Sequence, residues 1–365
     1  MRILLYLMKV YKIGLIGFSI GGQVFHAPFI AGNPALELYK VTARKQEQKD
    51  LLARRFPQAI AVESADDIIN DPEVNIVVVA TSNDVHYSLT KQAILANKHV
   101  VVEKPFTNTT READELIALA ERHGVLLTVH HNARFHSDFK TVRNVIETRG
   151  IYPVVNYEAR YDRFRNFLRE GAWREQAGPG SGIHFDLGAH LIDQALQLFG
   201  CPEWVFADLR TQREDAQAID DFELILSYPK LKVSLKGQML AKEATNRYAL
   251  YGWNGSFVKP GIDPQEEQLR AGVLPHEVKD WGQEYESTFG RLSVIEDGAD
   301  KQKRITSERG SGQDFYNNLV DTLQGNSSLL ITASQARDVI RILEASEQSW
   351  REQRAIKIKG ELIAY

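Results

Sequence analysis

Short apolar runs alternate with amphipathic stretches through the first third of the chain. Val10–Ile16, Leu38–Thr42, Ala59–Val62, Ile76–Ala80, His99–Val102 and Val125–Val129 read as strands. Gly21–Ala31, Val85–Ala96 and Arg111–His123 read as helices, the last ending at Gly124, a natural C-cap. Near-continuously apolar strands separated by helices predict a parallel sheet covered on both faces.

The rhythm then changes, and the spacing places a domain boundary near Asn132. Asp138–Thr148 reads as a helix, Val154–Tyr161 as a long alternating strand and Leu187–Phe199 as a helix. Residues 163–182, rich in Gly, Arg and Trp, read as a loop. Trp204–Arg210, Asp221–Tyr228, Leu231–Met239 and Arg247–Tyr251 follow as strands at short spacing, which predicts a largely antiparallel sheet. Gly252–Gly290 reads as loop-rich, and Asp314–Leu323 and Ala333–Trp350 as helices. The expected class is α/β, with a Rossmann domain over 10–132, a second α+β domain over 133–365, and an N-terminal extension over 1–9.

Composition narrows the picture. At 365 residues, two domains are the default. A net charge of −4 argues against nucleic acid as a partner, because phosphate neutralisation needs a basic surface. The single cysteine, Cys201, excludes an intrachain disulfide and any cysteine-based metal cluster, and fits a reducing cytoplasm. The apolar run Ile3–Met8 is short for a signal peptide, and no later stretch has the length of a membrane span.

Four stretches carry candidate chemistry. Gly17-Phe18-Ser19-Ile20-Gly21-Gly22 lies after the first strand and before a helix, as in the dinucleotide fingerprint G-x-G-x-x-G, with Ser19 in place of the middle glycine. Its glycines allow a tight turn and close backbone approach to a pyrophosphate at the helix N-terminus. The second stretch ends the second strand. No carboxylate stands between Leu38 and Gln46, where an NAD site would place one for the ribose hydroxyls. Arg44 and Lys45 stand there instead, either to bind a 2′-phosphate or as a solvated basic turn. NADP is the expected cofactor, with NAD possible.

The third stretch is Glu103-Lys104-Pro105, at the carboxyl end of the fifth strand, where ligands of such sheets bind. A lysine there can polarise a carbonyl or alcohol oxygen; it can also be a surface residue before a helix. The fourth is His184-Phe185-Asp186-Leu187-Gly188-Ala189-His190. Asp186 and His190, four apart, share a helix face, which makes His190 an acid/base candidate tuned by Asp186. A capping Asp with a structural histidine, or a metal held by His184, Asp186 and His190, are the alternatives. His130 and His131 end the sixth strand and read as structural more readily than as site residues. Arg160, Arg163, Arg165, Trp173 and Arg174 hold a polar or anionic substrate, or form a surface ion-pair patch. Cys201 reads as a small apolar residue.

Together, the glycine turn, Glu103-Lys104-Pro105 and Asp186-x-Gly188-x-His190 occur in the order and spacing of the Gfo/Idh/MocA oxidoreductases, which the chain resembles from Val10 onward. Val24-Phe25-His26-Ala27-Pro28, Trp173-Arg174-Glu175, Gly255–Lys259 and Asp263-Pro264-Gln265-Glu266 extend the likeness towards the branch containing NADP-dependent scyllo-inositol dehydrogenases. Ser19 and the N-terminal extension depart from the pattern. The resemblance implies a C-terminal domain with a large open sheet that binds substrate and joins copies into homodimers or homotetramers. It implies catalytic roles for Lys104, Asp186 and His190, and a cis Lys104–Pro105 bond. It places Thr81, Asn83, His86 and Glu103, with Lys104, on the nicotinamide side, and Arg163, Trp173, Arg174 and Asp186 near the substrate. The implied activity is hydride transfer between NADP(H) and a secondary alcohol or ketone of a sugar, inositol or other polyol, in the cytoplasm. A non-catalytic dinucleotide sensor and a dinucleotide-dependent glycosidase are the other readings open to this fold.

Overall fold

The computed structural model describes residues 9–243 and 245–358. Apart from Lys9, the expected N-terminal extension lies outside the described residues, as does the chain from residue 359 onward.

Strands β1 (Tyr11–Ile16), β2 (Leu36–Thr42), β3 (Ile60–Val62), β4 (Ile76–Val79), β5 (His99–Glu103) and β6 (Leu127–His130) form a parallel sheet in the order β3-β2-β1-β4-β5-β6. Side chains of β4 are buried along its whole length, which is why the strand reads as an unbroken apolar run. Strand order reverses between β1 and β4, the point at whose carboxyl ends sheets of this kind bind ligands. Gly17 leaves β1 there with φ +104°, and a side chain on it would strike the Ala80 carbonyl at the end of β4.

Helices α1 (Ala27–Ala31), α2 (Gln46–Arg55), α3 (Asp66–Ile69), α4 (His86–Leu95) and α5 (Thr110–His123) connect these strands. Thr109 and Glu112 form a capping box on α5, and Gly124 ends it with φ 62°, as the sequence predicts. The stretch predicted as one helix over Gly21–Ala31 opens with a π-type turn, Gly21–His26, before α1. Helix α2 is absent from the sequence reading: Leu52 is its one buried side chain, so it shows little apolar period.

Further on come α6 (Ser137–Glu147), α7 (Ala189–Phe199), α8 (Gln265–Arg270), α9 (Gln313–Leu323) and α10 (Ala333–Glu352). The second sheet holds β7 (Val154–Asp162), β8 (Trp204–Arg210), β9 (Asp221–Ser227), β10 (Lys232–Gln238), β11 (Tyr248–Gly252), β12 (Gly255–Lys259), β13 (Gly290–Glu296), β14 (Ala299–Ile305) and β15 (Ile356–Lys357). Its order is β14-β13-β12-β11-β7-β10-β9-β8-β15, antiparallel except for β7 beside β10. The span expected to be loop-rich, Gly252–Gly290, thus contains β12 and α8. Strands β13 and β14 also escape the sequence reading; β14 (Ala-Asp-Lys-Gln-Lys-Arg-Ile) has almost no buried side chain to mark it.

One face of this sheet packs Tyr157, Leu224, Leu226, Val233 and Leu235 into a core shared with α7 and α10. Helix α10 lies between β8 of the second sheet and α5 and β6 of the first. Helix α9 returns to the other face of the first sheet, where Phe315, Tyr316 and Leu319 join Ile13, Leu15 and Val78. Each such apolar side chain stabilises by about 2 kcal/mol when fully buried. The C-terminal segment is therefore part of the first sheet's core. Among the described residues, no helix is long and apolar enough to cross a membrane.

Candidate functional site

Three segments converge at the carboxyl ends of β1, β4 and β5. The glycine turn comes first. The Gly17 amide donates to Thr42 Oγ1 (2.7 Å), and the Phe18 carbonyl accepts from the side-chain amides of Gln23 (2.8 Å) and Gln48 (2.9 Å). Gly22 has no room for a side chain because a Cβ would strike the Gly17 carbonyl. A Cβ on Gly21 meets nothing nearer than 3.9 Å, and Ser19 and Ile20 are exposed. Amides in the first turn of a helix have no partner within it, so this open turn presents donors to an anion. Its geometry suits the pyrophosphate of a dinucleotide.

At the end of β2, the exposed Arg44 donates through Nε to the Glu63 carbonyl (3.1 Å). Lys45 is the N-cap of α2. Two cations thus border the place where the ribose of a dinucleotide would lie, and no carboxylate stands between Leu38 and Gln46.

Lys104 follows β5, and the Lys104–Pro105 bond is cis. Lys104 Nζ donates to the Asp186 carboxylate (2.8 Å) and to the Asp186 carbonyl (2.9 Å). Arg174 Nε lies 3.3 Å from the same carboxylate and its guanidinium stacks on Trp173, 4.6 Å from the ring centroid. Burial would push the Asp186 carboxyl up, but the charges of Lys104 and Arg174 and the Lys104 hydrogen bond hold it well below the usual range.

The sequence expects Asp186 to tune His190; no hydrogen bond joins the two, and the carboxylate acts on the ring through its charge alone. Residues His184–Gly188 form a π-type turn ahead of α7. The Asp186 carboxylate bonds Lys104 instead. His190 is buried, and its Nδ1 has no hydrogen-bond partner among the described residues. Burial first, then the charge of Lys104, hold its pKa well below 6.5 against the opposing pull of Asp186.

His184 turns inward to Ser346 Oγ (2.8 Å), so His184, Asp186 and His190 do not gather as metal ligands. Among the described residues, the ligand-type atoms that gather are those of His26, Glu103 and His130. They are joined by direct hydrogen bonds of 2.8 and 2.9 Å.

The other residues picked out by the sequence divide by position. Thr81 follows β4 beside Gly17. Asn83 is buried, and its amide donates to Asn108 Oδ1 (2.9 Å) and the Gly180 carbonyl (3.0 Å). His86 Nδ1 lies 2.9 Å from the Pro105 carbonyl and its Nε2 3.3 Å from that of Thr81; the neutral ring donates to one of them and braces the loops around the site. Glu103 turns its carboxylate into the interior. Arg163 hydrogen-bonds β10 through its backbone and contributes to the field at Asp186. Arg160 and Arg165 pair with Asp162 (3.5 Å) and Glu175 (3.8 Å).

Sequence reasoning read His131 as structural and gave its neighbours no role at the site. His131 is buried with both ring nitrogens unpartnered, 3.8 Å from Asp193, which in turn pairs with Arg134 (2.6 Å). The Tyr161 ring lies 6.1 Å from that of His190 and carries Arg247 at 3.4 Å on its face. Burial pushes the Tyr161 hydroxyl up to about 12. Only the doubled histidine at 130–131 was visible beforehand.

Residues 11–131 match the family model described as oxidoreductase family, NAD-binding Rossmann fold, and residues 143–358 its C-terminal alpha/beta domain. The chain is 36% identical to the NADP(+) scyllo-inositol 2-dehydrogenase IolW of Bacillus subtilis, over 95% of this chain and 96% of that one. It is 40% identical to YdgJ, an uncharacterized oxidoreductase of Escherichia coli, over 93% of this chain and 96% of that one. The solved structure of YvaA from Bacillus subtilis superposes with a TM-score of 0.92 at 36% identity, covering 96% of this chain and 99% of that one.

The buried histidines set an acid limit on stability. Burial lowers His26 and His131 to about 4 and His184 to about 3, from 6.5. Below 6.5 the unfolded chain binds protons that the folded chain refuses, so stability is full above that pH and declines towards 4. The melting temperature at pH 5 is expected to lie at least about 5 °C below that at pH 7. Equal values in a thermal melt would contradict neutral burial of these rings.

Proposed function

The chain belongs to the Gfo/Idh/MocA oxidoreductases, and on that premise we propose that it moves hydride between NADP(H) and a secondary alcohol or ketone of an inositol, sugar or related polyol. The observation that carries this reading is the Lys104–Asp186 pair beside a buried His190 whose Nδ1 has no partner among the described residues. Asp186 takes two of the three ammonium hydrogens of Lys104. The third is free for a substrate oxygen. In the oxidative direction, the hydroxyl proton passes to His190 while Lys104 donates to the same oxygen and stabilises developing alkoxide. In reduction the proton returns from His190 to the oxygen. A nicotinamide, when bound, supplies or accepts the hydride. Asp186 and Arg174 fix the lysine, and Trp173 and Arg163 border the substrate side. The chain works in the cytoplasm, in keeping with its single cysteine.

Lys104→Ala and His190→Ala are each expected to lower kcat at least about a hundredfold. The NADP(H) dissociation constant should stay within about threefold, because neither side chain is placed on the phosphates. A panel of polyols and keto-sugars, read by nicotinamide absorbance, checks this; near-normal turnover in both variants rejects the mechanism. Binding without any turnover in the parent would point to a sensor.

Cofactor choice rests on Arg44 and Lys45. NADP(H) should exceed NAD(H) in kcat/KM by about tenfold or more, and replacing both cations by serine should remove most of that preference. A higher kcat/KM with NAD(H) in the parent overturns the assignment.

The second sheet leaves one face open. Trp204 and Phe206 on β8, Tyr251 on β11 and Ile295 on β13 stand exposed there. We propose that two copies meet through this face. Sedimentation should give a dimer or tetramer, and Phe206→Asp should shift it towards monomer; a monomeric parent at micromolar concentration excludes this.

A further inference from the structure

Glu103, the last residue of β5, accepts three hydrogen bonds. Oε1 takes His26 Nε2 at 2.9 Å and His130 Nδ1 at 2.8 Å. Oε2 takes the backbone amide of Lys104 at 3.0 Å. Behind His26, the Tyr316 hydroxyl lies 2.5 Å from Nδ1. One assignment of protons satisfies all four contacts: Tyr316 donates to His26, His26 and His130 each donate to an ionised Glu103, and Glu103 accepts from Lys104.

Each member comes from a different element. His26 ends the π-type turn that begins at the glycine loop, His130 ends β6, and Tyr316 lies on α9. His130 faces Glu103 across the β5–β6 register. The rings are packed: His26 and His130 lie 4.4 Å apart between centroids, and His130 and Phe315 4.7 Å. A carboxylate among buried rings is costly unless every donor is aimed at it. An apolar cluster would hold these strands together at lower cost. The polar set instead ends on the peptide group of Lys104.

We propose that Tyr316, His26, His130 and Glu103 are positioning residues for Lys104, so that a side chain near the C-terminus helps to place the lysine of the first sheet. This rests on Lys104 as the group that touches the reacting oxygen. Glu103 fixes the lysine backbone from within, as Asp186 fixes its ammonium from outside. Tyr316 fixes the orientation of the His26 ring whose Nε2 donates to Glu103. Without the tyrosine hydroxyl, His26 Nδ1 is a buried acceptor with no donor. The ring then loses the contact that sets its tilt, and its bond to Glu103 weakens.

The full-length variants Tyr316→Phe, Glu103→Gln and Lys104→Ala test this, with scyllo-inositol and NADP+ as probes. In Tyr316→Phe, kcat should fall about tenfold, and in Glu103→Gln about a hundredfold, with KM and the NADP+ dissociation constant within about threefold. A crystal structure of Tyr316→Phe should show Lys104 Nζ out of hydrogen-bond reach of Asp186. Nitrogen-15 spectra of the histidine rings should show His26 as the Nε2–H tautomer in the parent and a weakened Nε2–H bond to Glu103 in Tyr316→Phe. A lysine still bonded to Asp186 in that crystal, with the melting temperature alone lowered, overturns the proposal. If Glu103→Gln does not fold, Tyr316→Phe, which deletes one oxygen, decides. Full turnover in Lys104→Ala rejects the underlying mechanism; an inactive Lys104→Ala beside an unimpaired Tyr316→Phe rejects the positioning role alone.

Discussion

Asp186 receives Lys104 through its carboxylate and its own carbonyl, and this double contact ties the end of β5 to the start of α7. Lys104 follows a strand of the first sheet, whereas Asp186 sits in a turn packed on β10 of the second, 82 positions away in the chain. An ion pair this sheltered gains more than a surface pair, but only when the remaining polar atoms around it are satisfied. Arg174 serves the carboxylate from the solvent side, and Glu103 serves the lysine's backbone from the interior. The rest of the site is arranged around that demand.

A chain that simply placed one domain after another would leave this contact to a single interface. Here α9 and α10 come back across the first sheet after the second has been built. Thr128 Oγ1 on β6 donates to the Ile331 carbonyl (2.7 Å), and Tyr11 on β1 to that of Leu323 (3.3 Å). These bonds and the packing of Phe315 and Leu319 hold the C-terminal segment along the first sheet, from the amino end of β1 to β6. The segment that follows the second sheet is thereby tied to the first.

The amino-acid pattern disclosed most of the first sheet because its strands are buried on both faces, as in Ile76–Val79. It disclosed β9 through strict alternation, with Phe222, Leu224 and Leu226 inward. It hid α2, whose surface is nearly all polar, and β14, which buries almost nothing. Lys104 and the Asp186/His190 stretch were legible as chemistry because their residue types and positions are restrictive together. Their mutual geometry was not legible, since a π-type turn leaves no plain mark in the sequence. Tyr316 was hidden for another reason: it meets His26 from 290 positions away, and an isolated tyrosine on an amphipathic helix looks like any core residue.

The pairing of Asp186 with Lys104 has a chemical consequence. A carboxylate bonded directly to His190 would raise the imidazole's affinity for protons further. A charged His190 could not accept a proton from an alcohol. The carboxylate instead bonds Lys104, and burial and the charge of Lys104 outweigh its pull on His190 and favour the neutral ring. The same pairing thus does two things at one site. It anchors the donor that stabilises developing negative charge on oxygen, and it keeps the neighbouring ring free to take the proton that leaves it.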